Sequence, residues 1–145
     1  MDLVFAEIEL SNPRETGIKP IVVKSLVDTG ALHLCLPEHI AIQLKLEELY
    51  KREVTTADGK KHLVPYMGPL TLKFENRACF TGALILGDEV LLGAVPMEDM
   101  DVIVSPAKQS LIVNPENPNI AASIVKRHIT GIPLKDRRVP APLRA

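Results

Sequence analysis

Leu26-Val27-Asp28-Thr29-Gly30-Ala31 is the stretch whose reading decides the fold. It ends an apolar run, Ile21 to Val27, that only Lys24 and Ser25 interrupt. Such a run predicts a buried strand over Lys19 to Val27, with a carboxylate, a hydroxyl and a glycine at its exit. The apolar flank raises the cost of ionising the carboxylate. Thr29 brings a hydroxyl for a local hydrogen bond, and Gly30 lets another backbone come close. The motif occurs once in 145 residues.

Outward from it, the pattern is mostly β. Leu3 to Leu10 alternates loosely and predicts a half-buried strand, with Ser11 to Gly17 as a hairpin loop. Ala31 to Leu36 reads as a strand. Pro37-Glu38 opens a helix whose face is expected from Ile40, Ala41, Ile42, Leu44 and Leu46. Glu53 to Thr56 and His62 to Tyr66 read as strands around Ala57-Asp58-Gly59-Lys60, a hairpin turn signal because Asp-Gly suits positive φ. Leu70 to Phe74, Cys79 to Leu86 and Val90 to Gly93 are further strands, and Met97 to Asp101 a helical turn. Val102 to Val104 and Ser110 to Val113 make a last hairpin, and Asn114 to Pro118 ends the compact part. Roughly eight short strands at this spacing point to a β-barrel or a sandwich.

Composition narrows the function classes. Apolar residues are 46% of the chain and aromatics 3%, so the core is expected to be aliphatic. The aromatic platforms of single-stranded nucleic-acid binders are missing, and no nucleic-acid partner is expected. The length fits one domain: residues 1–114, followed by a basic, Pro-containing tail, 115–145. From Ile120 onward six basic residues face the single acid Asp136, whereas the preceding part holds 11 basic and 17 acidic residues. Cys35 and Cys79 form no Cys-x-x-Cys pair and no disulfide framework. The start, Met1-Asp2-Leu3, lacks the basic residues of a signal peptide, and no apolar run approaches a membrane span. The expected compartment is the cytoplasm, with no membrane contact.

The residues from Leu26 to Ala31 resemble the catalytic motif of the retropepsin-like aspartic proteases (clan AA), which is two apolar residues, Asp-Thr/Ser-Gly and Ala. Other features follow in that family's order. A strand and helix after the motif match Leu32 to Leu46. A flap hairpin matches Val54 to Val64, with Ala57, Asp58 and Gly59 at its tip over the substrate cleft. A second glycine motif after two apolar residues matches Leu91-Leu92-Gly93, then a short helix and a final strand. The resemblance covers roughly Leu3 to Val113 and runs closest to the bacterial single-domain members. It implies a closed acid-protease-like β-barrel with one or two short helices. Leu32 stands where retroviral enzymes usually carry Asp or Ser, the flap tip has one glycine rather than several, and the tail has no retroviral counterpart.

The same resemblance implies an aspartic endopeptidase in which Asp28 is the catalytic acid, with no metal and no cofactor. Metal-free peptide hydrolysis needs a base for water and an acid for the carbonyl. Two carboxyls sharing a proton supply both, because like charges ~3 Å apart cannot both ionise. With one motif per chain, the second Asp28 must come from another copy, so a homodimer acting on a peptide or protein substrate is implied. Thr29 would bond across the two-fold axis, Gly30 and Ala31 would support the loop, and Gly93 would allow close packing beneath it. The alternative is a catalytically silent, dimeric peptide-binding module of the same fold. A small interaction partner, such as half of a toxin–antitoxin pair, is a third reading that rests on length alone.

Other residues invite and lose sharper readings. His33, Cys35 and His39 suggest zinc, but His-x-Cys-x3-His fits no standard site, which leaves a buried Cys35 and surface histidines. Glu98, Asp99 and Asp101 lack a calcium-type loop and read as a solvated helix edge or a partner for the basic tail.

Overall fold

A computed structural model describes residues 3–125. Strands β1 (Phe5–Ser11) and β2 (Ile21–Val27) form an antiparallel hairpin in which Phe5 faces Leu26 and Leu10 faces Ile21. Alternation puts Ala6, Ile8 and Leu10 inside and leaves Phe5 and Glu7 outside. Ser25, one of the breaks in the apolar run, is fully buried, and its hydroxyl donates to the Ala6 carbonyl at 2.8 Å. It is a satisfied polar group rather than a weakness in the strand.

The strand expected over Ala31 to Leu36 shrinks to β3 (Cys35–Leu36). The residues before it are spent on loop contacts: Ala31 N–H donates to the Asp28 carbonyl, and the Ala31 and Leu32 carbonyls accept from Ala94 and Val95. Helix α1 (Glu38–Gln43) starts after Pro37, whose φ of −65° suits that position, and stops before Lys45 at φ 54°. Ile40, Ala41, Leu44 and Leu46 are buried, but Ile42 is 68% exposed. The expected helical face is corrected there, because residues two apart on a helix point to opposite sides.

Strands β4 (Glu47–Thr55) and β5 (Lys61–Phe74) form a long hairpin running from Glu47 opposite Gly68 to Thr55 opposite Lys61. It is longer than the Val54 to Val64 segment read from sequence. The two strands expected on either side of Gly68-Pro69 are one, with an irregularity between Met67 and Leu70. A proline at a bulge removes no ladder hydrogen bond. Strand β6 (Arg77–Ile85) returns along β5 after a turn with Glu75 at φ 51°.

Strand β7 (Val90–Leu92) runs parallel to β2, β3 lies between β7 and β6, and β1 pairs with β5. The order β1-β2-β7-β3-β6-β5 therefore closes on itself into a six-stranded barrel, with β4 attached outside. Closure decides between barrel and sandwich, and it leaves β4 as the sheet's edge. The interior is aliphatic, with Leu10, Leu34, Leu36, Leu70, Leu72 and Leu92 all at 0% exposure. Helix α2 (Ala94–Met100) follows β7, and β8 (Val102–Ser105) and β9 (Ser110–Val113) form the last hairpin.

Beyond β9 the chain remains bonded to the body. Asp101, in left-handed conformation at the end of α2, accepts from Asn114 Nδ2 (3.0 Å), Asn117 Nδ2 (2.9 Å) and Ala122 N (3.0 Å). Asn76 Nδ2 donates to the Pro118 carbonyl at 2.9 Å, and the buried Arg77 donates to the Asn117 carbonyl. Glu98 and Asp99 are solvent-exposed, as read from sequence, while Asp101 is an anchor instead. The basic residues from Lys126 onward lie outside the described residues. Among the described residues, no helix is long and apolar enough to cross a membrane.

Candidate active site

Asp28 leaves β2 directly after Val27 pairs with Leu92. Its amide donates to the Leu92 carbonyl at 3.0 Å, which carries the parallel ladder one residue into the loop. On the far side Ala94 N donates to Ala31 O at 2.8 Å and Val95 N to Leu32 O at 2.9 Å. The loop from Asp28 to Leu32 is thus clamped by β7 and the first turn of α2. Gly93 makes the clamp possible: a Cβ there would lie 2.4 Å from the His33 carbonyl oxygen and 2.8 Å from that of Ala31.

Within the loop, the Asp28 carboxylate accepts from Gly30 N at 2.9 Å, a side-chain turn that suits Asp. The local bond expected of Thr29 is made by Asp28 itself. Asp28 is half-buried, whereas Thr29 and Gly30 are exposed.

A cleft of about 600 Å³ separates this loop from the β4–β5 hairpin. Asp28, Gly30 and Ala31 form one wall, Val54, Thr55 and Ala57 the other, and Leu84, Leu86 and Leu91 contribute apolar surface between them. Of the other glycine-motif residues, Leu92 is buried in the barrel and Gly93 sits under the loop. Asp58 and Gly59 are at the hairpin tip, outside the cleft lining. Gly59 takes φ 83°, and Asp58 accepts from Thr56 Oγ1 (2.6 Å) and Lys60 N (3.0 Å). Those bonds, the Thr56 hydroxyl first, hold the Asp58 carboxyl below the usual carboxylate range.

The cleft wall also has a polar face that sequence reasoning missed. Arg52 lines it, donates through Nη2 to the Tyr50 hydroxyl at 2.6 Å, and lies 5.5 Å and 5.7 Å from the rings of Tyr50 and Tyr66. The two tyrosines stack at 5.2 Å, and His33 meets Tyr66 edge-on at 5.8 Å. His33 and Cys35 both line the cleft, while His39 is exposed on α1. The surface position expected for His33 is corrected: burial, then the Arg52 charge, lowers its pKa. Burial, then the Asp28 charge, raises that of the Cys35 thiol. The signal available in the sequence was period-two spacing: Arg52, Val54 and Thr56 are half-buried while Lys51, Glu53 and Thr55 are exposed.

A smaller groove of about 460 Å³ lies at the root of the hairpin, between Arg14, Leu49 and Phe80. Its carboxylates Glu47 and Glu48 are paired with Arg14 (3.4 Å) and Lys51 (3.2 Å). The cleft at Asp28 is the one that combines a half-buried acid with apolar surface and a covering hairpin, and it is the candidate site.

No protein-family model and no curated protein sequence matches the chain. Solved structures do. The EIAV protease complexed with the inhibitor HBY-793 is similar at 20% identity and TM-score 0.51, over 68% of this chain and 88% of that one. The retroviral protease-like domain of Ddi1 from Leishmania major is similar at 10% identity and TM-score 0.51, over 79% of this chain and 91% of that one. With its closed barrel and two short helices, the chain has the retropepsin-like aspartic protease fold.

Proposed function

We propose that the chain is an aspartic endopeptidase that works as a homodimer, each copy supplying one Asp28. The observation that carries this reading is the half-buried Asp28 on a loop held from both sides, lining an apolar cleft beneath a hairpin. One carboxylate can take a proton from water but cannot also donate one to the scissile carbonyl. A second copy related by a two-fold axis provides the missing acid. The ionised member of the pair takes the water proton as oxygen attacks the carbonyl carbon. The protonated member donates to the carbonyl oxygen. The tetrahedral species collapses as its C–N bond breaks: the acid that took the water proton passes it to the amine nitrogen, and the other recovers a hydroxyl proton. The pair titrates as a unit. The loop surface suits such a partner: Thr29 and Gly30 are exposed, and so are the apolar Leu32 (57%) and Val95 (44%) beside them.

Asp28→Asn is expected to abolish cleavage of a peptide library, a loss of at least about 10²-fold, while sedimentation still reports a dimer. Pepstatin-type inhibitors are expected to block the wild type. Cleavage that survives the substitution sinks the assignment.

A second reading, a peptide-gripping module without cleavage, draws on β4, which among the described residues pairs only with β5 and leaves an edge for strand addition. It predicts peptide binding with no cleavage at acidic or neutral pH.

A further inference from the structure

The geometry points to a carboxylate-binding subsite in the cleft, formed by Arg52 with His33, that selects an acidic side chain in the bound peptide. This deepens the proposed peptide-cleft function and rests on it.

Arg52 carries a permanent charge in a cleft it shares with the apolar Val54, Leu84, Leu86 and Leu91 and with the carboxylates Asp28 and Glu53. Among the described residues the ion pairs are Arg14–Glu47, Lys51–Glu48 and Lys61–Glu53, so neither cleft carboxylate lies within ion-pair distance of Arg52. Its Nε and His33 Nε2 are shielded from water and have no partner, so the guanidinium groups open to a ligand are Nη1 and Nη2. A hydrogen bond from such a donor to a charged acceptor is among the stronger ones. A guanidinium offers a planar fork that matches a carboxylate.

The fork is also pre-set. The Tyr50 hydroxyl fixes Nη2, and the stacked Tyr50–Tyr66 pair lies beside the guanidinium plane. Little side-chain freedom remains to be lost when a ligand arrives. His33, packed edge-on against the same Tyr66 ring, lines the cleft beside the charge. The occupant that meets both demands is a Glu or Asp side chain within an apolar peptide.

The test uses blocked octapeptides of Val, Leu and Ala with a single Glu, Gln or Lys placed at each position in turn. Binding is measured by fluorescence anisotropy to full-length Asp28→Asn protein, with and without Arg52→Gln or Arg52→Glu. The expected result is a preference for Glu over Gln of about tenfold at one position. It is lost in Arg52→Gln and turned toward Lys in Arg52→Glu. Equal binding of the Glu and Gln peptides, no binding of any, or a preference that survives Arg52→Gln overturns the subsite. Cleavage by protein with Asp28 intact is scored separately. Glu-selective binding without cleavage overturns the protease and keeps the subsite; cleavage without Glu selectivity does the reverse.

Discussion

The amide of Asp28 donates to the carbonyl of Leu92 at 3.0 Å, so the acid sits where the β2–β7 ladder ends. What lies under that junction is the next residue, Gly93. Gly93→Ala would drive a methyl group into backbone, 2.4 Å from the His33 oxygen and 2.8 Å from the His33 nitrogen. Backbone held by its own hydrogen bonds cannot give way as a side chain can, so the upper end of the overpacking range, about 3 kcal/mol, is expected. Urea unfolding checks this, and a change below about 0.5 kcal/mol, the scale of a neutral surface substitution, contradicts it.

Gly82→Ala should act on Tyr66, which lines the groove at the hairpin root and meets His33 of the cleft edge-on. A Cβ there would fall 2.5 Å from Cζ of Tyr66, and Gly82 N also donates to the Tyr66 hydroxyl at 3.2 Å. The ring has little room to retreat, being stacked on Tyr50 and met edge-on by His33. A loss of about 1–3 kcal/mol is expected, together with a changed tyrosine near-UV circular dichroism signal. An unchanged spectrum rules out displacement of Tyr66.

The thiols offer a readout of Asp28 that needs no substrate. Burial and then Asp28 raise the Cys35 pKa, while burial and then Asp99 push Cys79 up to about 12. The thiolate is the reactive form, so both should alkylate slowly in the native protein near pH 8. Removing the negative charge with Asp28→Asn lowers the Cys35 pKa and speeds its alkylation, with Cys79 unaffected. Mass spectrometry of iodoacetamide-treated protein distinguishes the two sites. Equal Cys35 rates in both proteins would mean that the Asp28 charge is not felt there.

Asp101 ties the segment from Asn114 to Ala122 to the body, and the bonds from Asn114, Ala122 and Asn117 hold its carboxyl below the usual range. A depressed folded pKa means the contribution is complete above the unfolded value near 3.9 and is lost as pH falls through the lower folded value. Protection factors over 114–122, taken relative to the intrinsic exchange rate at each pH, should therefore be high at neutral pH and fall in acid. In Asp101→Ala they should be low throughout. Protection that persists in that variant would show that other contacts hold the segment.

Much of the fold was legible because its signals are local. The alternation in β1 and the Asp58-Gly59 turn are each carried by a few adjacent residues. The first half of β4 was not legible, since Glu47, Glu48, Lys51 and Arg52 make an exposed strand resemble a charged loop. Gly68-Pro69 looked like a break and is a bulge. At the candidate site, Asp28 and Gly93 stood out by motif. Arg52, His33, Tyr50 and Tyr66 did not, because what makes them a group is a cross-strand register, Tyr50 opposite Tyr66, that no local pattern encodes. Asp101 looked like one more solvated acid because its partners lie 13 and more residues downstream.

Barrel closure has a consequence for how the chain is made. The closing seam joins Leu10 to Leu72, and the clamp under Asp28 joins Ser25 to Val90. Neither pairing can form until the later strand has been synthesised. A nascent chain that has emerged only to Gly87 holds the acid-bearing strand with no neighbour on its β7 side. Long-range pairings of this kind fold slowly, so the segment from Ile21 to Val27 is an exposed apolar edge for much of synthesis, and truncation before Leu92 leaves a strand poised to aggregate rather than a smaller barrel.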